Sequence, residues 1–175
     1  MSETLNKLNR IFEFAGMIAK ILMVLIVVVA AIVVVFMAVL AFFPDILTKA
    51  VEAVPGTVLP TSDQLYTLSA AAVLNMVFLF VLLYYLYRLS KNISESRTPF
   101  TDASVRYLEL MAVILLISTF ALPAISALVS YAFGIWPYGI ISFSPYLLLT
   151  SIIVYFLSLI FKYGTSLQKE SDETL

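Results

Sequence analysis

Between Glu109 and Lys162 the chain runs for 52 residues, 110–161, without one charged side chain. As a single helix rising about 1.5 Å per residue this run would reach roughly 78 Å, against a hydrocarbon core of about 30 Å. It must fold back inside the sequence, and Gly134, Pro137 and Gly139 in GIWPYG are the residues that turn it. Two spans of about 20 residues then fit, with about ten left for the hairpin. Residues 21–44, between Lys20 and Asp45, and residues 64–87, between Asp63 and Arg88, are also free of charge. The sequence therefore predicts four spans, near 18–43, 65–89, 106–133 and 144–162.

Inside a bilayer every backbone polar group needs an internal partner, so these spans are read as helices. A membrane barrel would alternate apolar and polar residues, which these runs do not. The first apolar stretch is longer than the 7–15 residues of a signal h-region and is read as a retained anchor. Composition agrees. Hydrophobic residues make up 62% of the 175, and only 12% are charged, against about 25% in an ordinary soluble domain. The expected architecture is all-α: a single integral membrane four-helix bundle over residues 1–175.

Lys and Arg set the orientation. Lys7, Arg10, Lys20, Arg88, Lys91, Arg97, Arg106, Lys162 and Lys169 fall on one side of the four spans, and Lys49 alone on the other. Both termini, the loop 90–105 and the tail 163–175 are expected in the cytoplasm of a prokaryotic cell membrane. Tyr84, Tyr85, Tyr87, Tyr107 and Tyr163 lie near the inner edge, and Tyr66, Tyr131, Trp136 and Tyr138 near the outer one. Amphipathic rings anchor helices at these depths.

Ahead of the first span, Leu5, Leu8, Phe12, Ala15 and Ala19 recur every three or four residues, opposite Lys7, Arg10 and Glu13. This amphipathic segment reads as a lead-in lying in the inner interface, with a docking surface as the alternative. Beyond Pro44, Ile46, Leu47, Ala50, Val51 and Val54 form an apolar stripe closed by Pro55, Gly56 and Pro60, which predicts a short outer-face helix. Thr61 and Gln64 form a capping-box pattern for the second span. Thr101, Asp102 and Phe100 open the third as cap, first-turn acid and staple, the last onto Val105. Pro123 should kink it, and Ser144-Pro145 reads as cap and first residue of the fourth.

Candidate chemistry is sparse. Without Cys or His the chain has no disulfide, no thiolate nucleophile and no imidazole base or ligand. No Asp, Glu, Lys or Arg falls at mid-membrane, which weakens a proton relay or an ion-coupled mechanism. No catalytic residue, metal or cofactor is expected, and no nucleic-acid motif accompanies the basic loop. Asn75 is the most polar side chain deep in a span. It reads as interhelical glue, with Ser118, Thr119, Thr150 and Ser151 as candidate partners, ahead of a transport or ligand site. Asn92-Ile93-Ser94 matches a glycosylation sequon, but the orientation places it inside the cell.

The inner loop, LYRLSKNISESRTPFTDASVRYL, resembles the signature of the YoaS-like family of small prokaryotic membrane proteins of unknown function. Ile93, Ser94, Glu95, Pro99, Phe100, Thr101 and Leu108 match, while Ser96 stands for the usual Gly and Ser104 for the usual Asn. The tail FKYGTSLQKESDETL is similar to the family's end through Gly164, Leu167, Gln168, Glu170, Asp172, Thr174 and Leu175. The resemblance implies a membrane partner that binds or restrains a small Cro/CI-like helix-turn-helix regulator. By their own chemistry, Arg97, Pro99, Phe100, Arg106, Gly164 and Asp172 form either a partner surface or a structural junction. Read from the residues themselves, Gly164 ends the fourth span as a C′ residue. The tail beyond it is either disordered or packed under the bundle against the oppositely charged Arg97 and Arg106.

Three functions compete. A non-enzymatic regulatory or anchoring protein would hold a soluble partner at its inner face. A small transporter, channel or immunity-type protein would use the bundle interior. An intramembrane enzyme lacks the necessary groups. The expected partners are the lipid bilayer, a helix-turn-helix regulator and further copies of the chain in a homo-oligomer.

Overall fold

The computed structural model describes residues 2–43, 62–132 and 144–173. They form four helices: α1, Ser2–Phe42; α2, Ser62–Ser96; α3, Asp102–Ala132; and α4, Pro145–Glu173. No strand occurs among the described residues. Each helix contains a stretch long and apolar enough to cross a bilayer. Their apolar side chains mostly face outward: only 6% of the most apolar window of α1 and of α2 is buried, 11% for α4 and 22% for α3. A surface of that kind needs lipid around it. The chain is an all-α four-helix bundle and a multi-pass membrane protein.

Every helix overruns its predicted span. α1, with 41 residues, is roughly 62 Å long, about twice the hydrocarbon core. The amphipathic lead-in is its first half, continuous with the span. Within its apolar stripe, Phe12 packs against buried Leu89, Ile93 and Leu108, and Ala19 is buried. Lys7, Arg10 and Glu13 are exposed, as the amphipathic pattern requires.

α4 runs to Glu173 without a break at Gly164, so this glycine does not end the helix, and the tail is helical as far as Glu173. The local starts follow the sequence. The Leu147 and Leu148 amides donate to the Ser144 carbonyl at 3.2 and 3.4 Å, with Pro145 as first helical residue. α3 continues through Pro123 to Ala132. The outer-face segment 45–60, the cap residue Thr61 and the GIWPYG hairpin lie outside the described residues.

The chain divides into two compact units. The first gathers Met1–Val24, Phe78–Thr119 and Ser144–Leu175; the second gathers Leu25–Val77 and Phe120–Phe143. The first unit's core is Leu89, Ile93 and Leu108, flanked by Phe12, Tyr107, Val154 and Phe161. Above it α3 and α4 are joined by a polar contact, the Ser151 hydroxyl donating to the Ala112 carbonyl at 2.9 Å. In the second unit Leu40 is buried, and so is Ser130, whose hydroxyl donates to the Ser126 carbonyl.

Candidate functional site at the charged ends of the helices

All nine cations that the sequence assigns to one side belong to the first unit. There the end of α2, the start of α3 and the tail of α4 are fastened together. The loop begins where α2 stops at Ser96. The next residue, Arg97, has φ 55°, the left-handed conformation that ends many helices and normally falls to glycine. The glycine of the resembling family maps one residue earlier, at Ser96. Here Ser96 caps instead, its hydroxyl 2.7 Å from both the Asn92 and Thr98 carbonyl oxygens with one proton shared between them.

Thr101 is the N-cap of α3, as expected. Its hydroxyl oxygen accepts from the Ser104 amide at 3.1 Å, and its carbonyl accepts from the Val105 amide at 3.1 Å. It also belongs to a closed side-chain network. Asn92 on α2 donates to Thr101 Oγ1 at 2.6 Å and to Ser104 Oγ at 3.0 Å, and Thr101 Oγ1 donates to Ser104 Oγ at 2.9 Å. Ser104 is fully buried, so these bonds replace the water its hydroxyl would otherwise keep. Asn92 was legible only as a discarded sequon; its role in pinning two helices needs the fold.

The end of α4 docks on this loop at Phe100, Thr98 and Asp102. Phe100 lies against Phe161, ring centroids 5.7 Å apart and tilted 60°. The same ring covers Gly164: a β-carbon there would be 3.0 Å from Phe100 Cγ and closer still to Cδ1 and Cε1. Gly164 is therefore a close-approach glycine. Thr98 donates to Gln168 Oε1 at 3.2 Å, and Lys169 Nζ meets both Asp102 oxygens at 3.0 and 3.2 Å. The ion pair is open to solvent and contributes about 0–1 kcal/mol, so the apolar contact dominates the junction. Its polarity is the reverse of the one anticipated, with the cation on the tail and the anion on the loop.

The remaining candidates are placed as follows. Pro99 is half-buried, and its carbonyl accepts from the Thr101 amide at 3.1 Å. Arg97 and Arg106 are exposed. The side chain of Asp172 lies outside the described ones. Asn75 belongs to the second unit, on an exposed face of α2, and its amide donates to its own helix at the Ala71 carbonyl, 2.9 Å away. Its four proposed partners also bond backbone: Ser118 and Thr119 to Leu115, Thr150 to Tyr146, and Ser151 across to Ala112. Tyr107 stacks under Arg88, whose guanidinium carbon is 5.8 Å from the ring centroid, and beside Tyr85. Among the described residues no group of three or more His, Cys, Asp or Glu is placed to hold a metal.

No curated protein matches the chain, and no solved structure does. One family model does, described as "Protein of unknown function (DUF2975)", over residues 50–175. That range holds the whole loop, its cap network and the tail. Matched over more than half its length, the chain belongs to this DUF2975 family.

Proposed function

We propose that the protein is a non-enzymatic membrane anchor whose charged end, lying in the cytoplasm, holds a small soluble regulator of the helix-turn-helix kind. The observation that carries the reading is the clasp between loop and tail. Phe100 over Gly164, Thr98 on Gln168 and Lys169 on Asp102 hold two segments beyond the apolar spans in one fixed arrangement. The surface so formed is suited to a partner. Phe100 and Leu167 stay 38% and 47% exposed despite their apolar character, and the arginines Arg97 and Arg106 are exposed as well. Aromatic and arginine side chains are the types that anchor protein interfaces. Pre-ordering the surface lowers the entropy lost when a partner binds.

The competing reading, a transporter, channel or immunity-type protein using the bundle interior, draws on Asn75 and the Ser and Thr residues of the spans. Their bonds run to backbone carbonyls, and no specific observation favours a polar path.

The test is a pull-down of the tagged full chain from native membranes in mild detergent. A small DNA-binding protein should co-purify with the wild type and be reduced by Phe100→Ala. Repeated pull-downs that lack any such protein would sink the proposal.

A further inference from the structure

Away from the loop–tail clasp, α1 and α2 enclose an open cleft of about 410 Å³. A close approach of the two helices sets its floor: Gly16 is buried, and a β-carbon there would lie 3.4 Å from Ser90 Cβ. Its level along the helices is fixed by charge. Lys20 is the last charged residue before the apolar run of α1, and Lys91 lies one turn beyond Arg88, the first charge after the apolar run of α2. The cleft therefore sits at headgroup depth.

Two kinds of surface meet there. The mouth carries two cations, Lys20 and Lys91, and two anions, Glu13 and Glu95. Glu13 accepts from the Ser94 hydroxyl at 3.1 Å, which fixes one carboxylate at the opening. Lys91 and Glu95 form a loose, solvent-exposed pair at 3.6 Å, worth about 0–1 kcal/mol and easily opened by a ligand. Lys20 has no ion-pair partner among the described residues. The wall is apolar and leads into the membrane. Met17, Ile21 and Val24, each 60% exposed, follow one another on a single face of α1 from the cleft into its span.

A charged mouth joined to an apolar track fits an amphiphile, and a mouth with balanced charges fits a zwitterion. We propose that this cleft binds a phospholipid with a primary-ammonium headgroup. Its phosphate meets Lys20, its ammonium donates to Glu13 and Glu95, and an acyl chain lies along Met17, Ile21 and Val24. A quaternary ammonium has no N–H to donate to the carboxylates, and an anionic lipid without an ammonium brings them no positive charge. The proposal is independent of any cytoplasmic partner.

Native mass spectrometry of the full chain in detergent tests it, with phosphatidylethanolamine, phosphatidylcholine and phosphatidylglycerol of identical acyl chains. Phosphatidylethanolamine should be retained about tenfold better than the other two, the order of one charge-assisted hydrogen bond. Lys20→Gln should lower its retention about tenfold. Gly16→Leu, which fills the floor, should abolish it. Glu13→Lys should move the preference to phosphatidylglycerol, a reversal that simple misfolding would not produce. Equal retention of the three lipids, or a preference unmoved by Lys20→Gln and Glu13→Lys, overturns the proposal. Displacement of the lipid by chain-free glycerophosphoethanolamine at equal concentration would assign the same polar chemistry to a soluble ligand and overturn the membrane source.

Discussion

Gly164 occupies an interior position of a helix that continues to Glu173. A glycine there costs about 0.5–1 kcal/mol relative to alanine. The ring of Phe100 explains it, since the space a β-carbon would take is already filled. Two opposing effects then bear on Gly164→Ala. Helix propensity favours alanine by about 1 kcal/mol, and overpacking against the ring opposes it by about 1–3 kcal/mol. In the wild-type background the substitution should lower the thermal midpoint in detergent. In a Phe100→Ala background, with the ring gone, the same substitution should raise it. Thermal melts of the four proteins of this cycle measure the coupling directly. An effect of the same sign in both backgrounds would show that the ring does not dictate the glycine.

The start of α3 shows how much of an element was legible and how much was not. Thr101 as cap and Asp102 in the first turn came from neighbouring residues, and so did Ser144-Pro145 at the start of α4; all are local grammar. What local grammar lacks is the partner across the fold. Asn92 donates to the Thr101 and Ser104 hydroxyls from another helix, and Phe100 meets α4 at Phe161, so neither contact has a signature in its own segment. The same blindness made Gly164 read as a helix end, because a glycine just past an apolar run is the usual stop signal. It also hid the turn at Arg97, a residue type rarely found with φ near 55°. The network gives the cap an unusual weight. Thr101→Ala removes the N-cap acceptor, which costs about 0.5–2 kcal/mol, and leaves buried Ser104 with fewer partners. Thr101→Ser keeps the oxygen and should stay close to wild type. Melts of the two variants should therefore separate clearly. If Thr101→Ala matches Thr101→Ser, the network is incidental to stability.

For the molecule as a whole, the charge-free runs match the four helices apolar enough to cross the membrane, and the distribution of cations is the basis of the proposed orientation. The fold adds a physical reason for treating those cations together. Lys7, Arg10 and Lys20 of α1 belong to the same compact unit as Arg88, Lys91, Arg97, Arg106, Lys162 and Lys169, so one orientation serves all nine. Short positive loops resist translocation, and a unit carrying every one of them should stay inside. The chain has no cysteine, so single introduced thiols report without background. Lys91→Cys and Ser166→Cys are exposed positions in this unit, on α2 and α4. Both should react with a membrane-impermeant maleimide only after the cells are permeabilised. Ala132→Cys, exposed at the C-terminal end of α3, should react in intact cells. Labelling of Ser166→Cys from outside would reverse the orientation, and a soluble cytoplasmic partner could then no longer reach the loop and tail.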